Sequence, residues 1–194
     1  MAVSHAVHHR FSFEEYLRIE ADSGIKHEFF AGGVYAMSGG SPDHAGITAN
    51  MVGLLRNALE QRPCRVFSRD LRVRVEATGL GTYAEVTVIC GRLELDPADP
   101  KRHTALNPKV LVEVLSPSTE DHDRGDKLGN YKQIESLEEV VLVAHDRREV
   151  EVVRREDDGS WSRHIARDGE SVRLASIDCE LPVAEIYRDP LASA

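Results

Sequence analysis

The run VLVEVL at Val110–Leu115 places one ionisable side chain, Glu113, inside an otherwise apolar, strand-like segment. Apolar runs of this length belong to strands buried on both faces, which requires a sheet covered by other layers. Leaving a carboxylate unpaired in such a strand would cost several kcal/mol, so Glu113 is either a hydrogen-bonded structural acid or a cation ligand. The segment TYAEVTVIC repeats the pattern, with Glu85 set among Val86, Val88 and Ile89. If the two strands are neighbours, their acids converge. Like charges about 4 Å apart repel by roughly 4 kcal/mol at an effective dielectric of about 20, and a divalent cation between them would remove that repulsion.

The surrounding pattern supplies the other layers. Ser12 followed by Glu15 is a capping-box signature that opens a short helix through about Ala21. The stretch KHEFFAGGVYAMSG reads as a hairpin folded about Gly32-Gly33. Pro42 and then Ile47, Met51, Leu54, Leu55, Ala58 and Leu59 mark an amphipathic helix of about 18 residues. CRVFSRDLRVRV alternates apolar and basic residues, as a half-buried strand pair would. RLELDPADPKRHTALNP reads as a loop. A strand at 109–115, a helix from about Asp121 to Ile134 and an interior strand EEVVLVAHD follow. The remainder, VEVVRREDDGSWSRHI and SVRL, reads as an antiparallel meander with a turn at Asp158-Gly159. The fold class is therefore α/β or α+β, with helices on the faces of a sheet.

Composition excludes several classes. No stretch approaches the roughly 18 apolar residues of a membrane span, and MAVSHAVHHRFSF has no apolar core of signal-peptide length, so the expectation is a cytoplasmic protein with no membrane partner. Cys64, Cys90 and Cys179 form no CxxC pair, which argues against a disulfide framework or a thiolate zinc site and for buried, reduced thiols. The net charge of −9 means that any affinity for DNA comes from a local basic patch or from bridging cations. Arg65, Arg69, Arg72 and Arg74 are the candidate patch, because their spacing lets several share one strand face; the alternative is a solvated outer face.

Carboxylate oxygens are the hard ligands that Mg²⁺ and Mn²⁺ prefer, and Mg²⁺ sites commonly use one or two acids plus water and substrate phosphate. Asp123, Asp126 and Lys127 fall near a helix start. Lys127 either projects toward the strand ends, where it can orient water or stabilise phosphate charge, or it is a solvated helix residue beside acids that favour the helix dipole.

These residues carry a resemblance. HEFFAGGVYAMSGGSPDH, TYAEVTVIC, VLVEVLSPST, DRGDKLGNYKQI and EEVVLVAHDRREVEVVRR, with Tyr131 after DRGDK, resemble in that order the Uma-two family of restriction endonucleases, from Phe13 to about Tyr187. The resemblance implies one PD-(D/E)XK-type domain over 1–194 with its core at about 12–187: a restriction-endonuclease-like mixed β-sheet flanked by helices, with an additional antiparallel meander. It also implies a site of two acids and one lysine that binds Mg²⁺ or Mn²⁺ for phosphodiester hydrolysis. Glu113 matches the acid of the (D/E)XK half; the position two residues on is Leu115, and Lys127 from the following helix stands in for the missing lysine. Glu28 matches an acid before the Gly-rich turn, and His44, Asn50, Ser116, Ser118 and Thr119 match recurring positions. Asp123 is a further supporting acid, and the Ser-Pro-Ser-Thr run is expected to shape a turn and cap the helix. The family has Pro-Asp where this chain has Ala84-Glu85, and the added methylene moves the carboxylate by roughly 1 Å, a shift that octahedral Mg²⁺ tolerates poorly and Mn²⁺ better.

Two functions follow. One is a metal-dependent DNA endonuclease that can act as a homodimer. The other is a catalytically impaired nuclease-fold module for binding nucleic acid or protein. A metal-independent hydrolase using His44 or His145 lacks a nucleophile motif.

Overall fold

In a computed structural model the chain is described at residues 9–37, 39–117 and 119–189. Its centre is a six-stranded sheet of β3 (Cys64–Ser68), β6 (Val86–Cys90), β8 (Val110–Leu115), β9 (Glu139–Ala144), β10 (Glu149–Arg155) and β11 (Trp161–Arg167), in the order β11-β10-β9-β8-β6-β3. Within this sheet only β8 and β9 pair in parallel, and every residue of both is buried. This central pair accounts for the unbroken apolar runs.

The two-residue period of β8 sorts its side chains between two cores. Val110, Val112 and Val114 pack with Ile47, Met51 and Leu55 of α2 (Pro42–Ala58) and with Leu59 just past its end. The same core takes in the hairpin of β12 (Ser171–Leu174) and β13 (Cys179–Pro182), and α5 (Val183–Ile186). On the opposite face, Leu111 and Leu115 pack with Leu128, Tyr131 and Ile134. Glu113 lies between them in sequence and therefore points to that second face.

The second face is covered by two features. One is a helix built from α3 (Glu120–His122), a π-helical turn (Asp123–Lys127) and α4 (Leu128–Tyr131). The other is a five-stranded sheet of β1 (His27–Phe30), β2 (Gly33–Ala36), β4 (Arg72–Val75), β5 (Leu80–Thr82) and β7 (Thr104–Ala105), in the order β2-β1-β5-β4-β7. The fold is thus a mixed sheet flanked by helices, with an antiparallel meander through β9, β10 and β11.

α1 (Phe13–Asp22) carries both halves of the expected capping box at Ser12 and Glu15. The hairpin turn lies one residue before the expected Gly32-Gly33. Phe30 pairs with Gly33, and Ala31 and Gly32 take the positive φ values of 49° and 83° that a primed two-residue turn demands. CRVFSRDLRVRV does form two strands, but β3 and β4 do not pair with each other; they enter different sheets.

The cysteine expectation is corrected. Cys64 and Cys90 stand opposite one another in the β3–β6 register and form a disulfide, whereas Cys179 is a free, buried thiol. Their separation in sequence hid an antiparallel pairing that makes them adjacent. Among the described residues, no helix is long and apolar enough to cross a membrane.

Candidate active site

β6 and β8 are antiparallel neighbours, with Val86 opposite Val112. Continuing that register by one residue sets Glu85, in the bend just before β6, opposite Glu113. The two acids therefore share the face covered by the 120–131 helix, where cross-strand side chains are close neighbours. Both are buried, as are Glu28, Asp123 and Lys127.

The π-turn brings the helix residues into this layer. Its signature is the Leu128 N–H donating to the Asp123 carbonyl, one residue wider than an α-helical bond, and such turns recur at functional sites. Lys127 Nζ lies 3.0 Å from Glu113 Oε1 and 3.4 Å from Asp123 Oδ1. The Tyr131 hydroxyl donates to the same Glu113 oxygen at 2.6 Å. Burial raises the Glu113 carboxyl to about 7 from an ordinary 4.5; Lys127 and the Tyr131 hydrogen bond pull it down, and Asp123 pushes it up. Burial alone would lower the Lys127 ammonium, but Glu113, Asp123 and Glu28 outweigh it and raise it. The lysine is therefore charged at neutral pH.

Glu28 enters from β1. Its carboxylate accepts from the Thr82 hydroxyl at 2.7 Å and lies 2.9 Å from His122 Nε2. His44 occupies the first turn of α2, where its N–H donates to Ser41 Oγ, and its Nε2 lies 3.6 Å from Glu85 Oε1. Arg69, in the turn between β3 and β4, reaches the same oxygen at 3.5 Å. These groups line a pocket of about 650 Å³, together with Asp126, Ser116, Thr119 and His145.

Not every expected residue joins the site. Arg72 is buried, bonding to Tyr83, Thr104 and Asp99 and facing Glu20, and Arg74 pairs with Asp96 at 2.7 Å. Arg65 is exposed and stacks over Phe67. The four arginines do not form one basic face, because β3 and β4 diverge into different sheets and β4 turns its guanidinium groups onto internal acids. Asn50 ties α2 to the carbonyls of Ile186 and Arg188. Ser116 and Thr119 do shape a turn, but Thr119 makes no side-chain cap to α3; Ser118 lies outside the described residues.

Three members of the site escaped the sequence reading. Tyr131 was part of the motif but had no role, His122 had none, and Arg69 was assigned to a strand patch. The only signal for His122 was its place beside Asp123 in the segment that also holds Lys127.

The donor set suits a hard divalent cation. Glu85 and Glu113 both line the pocket, so both carboxylates are placed to offer oxygen to a cation there. No three His, Cys, Asp or Glu side chains among the described residues are grouped to hold a metal by themselves. A cation here would be held by two carboxylates and completed by water and substrate oxygens, as Mg²⁺ sites commonly are.

Residues 13–184 match the Uma2 family, described as "Putative restriction endonuclease", and the chain belongs to that family. It is 36% identical over 180 residues to the uncharacterized protein slr1290 of Synechocystis, covering 92% of each chain. It is 29% identical over 147 residues to the uncharacterized protein sll1609 of the same organism, covering 76% of this chain and 82% of the relative. A crystal structure from Anabaena variabilis, described as "a putative nuclease belonging to DUF820", superposes with a TM-score of 0.70 over 89% of this chain and 97% of its own. At 16% identity that likeness establishes the fold.

Proposed function

We propose that the protein is a divalent-cation-dependent endonuclease that hydrolyses phosphodiester bonds in DNA, with Glu85 and Glu113 holding Mg²⁺ or Mn²⁺ and Lys127 as the catalytic lysine. One observation carries the reading: the buried Lys127 ammonium meets Glu113 on the sheet face that Glu85 shares. A bound cation would supply Lewis-acid polarisation of the phosphate and a water of lowered pKa. The rest is done by the chain itself. Glu85 and Glu113 line the pocket with their carboxylates. Lys127, aimed by Glu113 and Asp123, positions the attacking water or stabilises charge on the phosphate. Tyr131 fixes the Glu113 carboxylate, while Thr82 and His122 fix Glu28.

Incubation with plasmid DNA and Mn²⁺ tests the assignment. Nicking or linearisation should occur with the native chain and be lost in Glu113→Ala and Lys127→Ala; cleavage that persists in both variants would overturn it. Two copies each cutting one strand are the assembly this reading expects, and sedimentation with and without DNA checks it.

A second reading, a nuclease fold that binds without cutting, is favoured by one observation. Each acid already has a cationic neighbour from the protein, Lys127 for Glu113 and Arg69 for Glu85. Calorimetric titration with Mg²⁺ and Mn²⁺ separates the two: tight binding abolished by Glu85→Ala supports the nuclease, and absence of binding supports the module.

A further inference from the structure

The arginines of the described chain differ in how fully their donors are used. Arg72 bonds to Tyr83, Thr104 and Asp99, and Arg154 to Glu139 and the Arg173 carbonyl. Arg155 bonds to the carbonyls of Lys132, Ile134 and Glu135. Such groups are fixed parts of the architecture. Arg69 is different. Its side chain is 27% exposed, it lines the pocket, and its one ion pair among the described residues is with Glu85 Oε1 at 3.5 Å. That distance is long for a hydrogen bond, so the contact is that of a counter-ion. A guanidinium has five N–H donors in a planar fork that matches phosphate oxygens, and the Arg69 fork, at the pocket lining, makes no hydrogen bond to a protein acceptor among the described residues.

We propose that Arg69 is the phosphate-binding residue of this pocket, contacting a non-bridging oxygen of the substrate phosphodiester, and that in the free protein it shields Glu85. This rests on the nuclease reading above and adds a coupling to it. With no substrate present, the guanidinium beside Glu85 repels a divalent cation approaching the same carboxylate. An arriving phosphate gives Arg69 an anion of its own and adds negative charge next to the cation. Cation and phosphate therefore favour each other's binding, and by linkage each raises the other's affinity by the same factor. Because Arg69 lies in a turn at the pocket lining and is held by a single long ion pair, Arg69→Gln removes the charge without opening a cavity.

The test uses the full chain and its Arg69→Gln, Arg69→Lys and Glu113→Gln variants. Mn²⁺ binding is measured by calorimetry without DNA, and binding of a short DNA duplex with hydrolysis-resistant phosphorothioate linkages is measured by fluorescence anisotropy with Mn²⁺ over a range of salt. Arg69→Gln should bind Mn²⁺ alone about fivefold more tightly, the lower end of typical coupling between sites. It should bind the duplex more weakly, with a salt slope smaller in magnitude by about 1, the contribution of one phosphate contact. Arg69→Lys should restore most of the native slope, which a merely structural role for Arg69 would not move. Unchanged or weaker Mn²⁺ binding in Arg69→Gln, or an unchanged salt slope, overturns the proposal. If Mn²⁺ does not bind the native chain, or binds Glu113→Gln equally well, the nuclease reading falls with it. If Mn²⁺ binding depends on Glu113 while Arg69→Gln changes nothing, only the coupling falls.

Discussion

Lys127 Nζ sits 3.0 Å from Glu113 Oε1, and both side chains are buried. The helix thus supplies the cation that the strand lacks, since the residue two places after Glu113 is Leu115. A buried pair of this kind is strongly destabilising to break, because the remaining partner is left uncompensated. Lys127→Met should lower stability by about 3 kcal/mol in urea unfolding and abolish cleavage. A fully stable Lys127→Met protein would show that Glu113 does not depend on this lysine.

Tyr131 tests the same oxygen from the other side. Its hydroxyl donates to Glu113 Oε1 at 2.6 Å, and hydrogen bonds to charged groups contribute about 2 kcal/mol. Tyr131→Phe should cost about that much. Because this bond holds the Glu113 carboxyl down, the variant should also titrate Glu113 at higher pH, readable as a shift in its carboxyl signal by NMR. An unshifted signal would remove Tyr131 from the site.

Burial raises the Glu113 carboxyl to about 7, against the pull of Lys127. The folded state therefore keeps a proton that the unfolded state gives up near 4.5, and the stability this contributes is present at low pH and lost as pH rises through 7. In metal-free buffer the native chain should lose up to about 3 kcal/mol relative to Glu113→Gln between about pH 5 and pH 8. Parallel stability curves for the two proteins would contradict it.

Arg72 and Arg65 separate architecture from surface. Arg72 joins Glu20, Tyr83, Asp99 and Thr104 in a buried network, so Arg72→Ala should cost about 3 kcal/mol or more. Arg65 is exposed, and Arg65→Ala should change stability by no more than about 0.5 kcal/mol. Thermal unfolding of both variants checks the contrast, and equal losses would mean the network is not integral to the fold.

Much of this arrangement was legible in the chain, for physical reasons that vary by residue. Near-continuous apolar runs marked β8 and β9 because both faces of that parallel pair are covered. Glu15 three residues after Ser12 marked the helix cap. An acid in an apolar strand was less decisive than it looked. Glu139, in the equally apolar β9, is fully buried yet purely architectural, held by Arg154, the Ser176 hydroxyl and the N–H groups of Ala175 and Ser176. What separates Glu113 from Glu139 is the pocket in front of it, which depends on tertiary placement. The same limit hid the disulfide, the divergence of β3 from β4, and the convergence of Arg69 and His44 on Glu85, since each joins segments that no local pattern connects.

The central claim is that Glu85 and Glu113 together hold a divalent cation beside Lys127. Its most direct test is an anomalous difference map from a crystal soaked in Mn²⁺. The account predicts a peak between the Glu85 and Glu113 carboxylates, within coordination distance of both and absent from Glu113→Gln crystals. A peak elsewhere, or none between these two acids at saturating Mn²⁺, would contradict it.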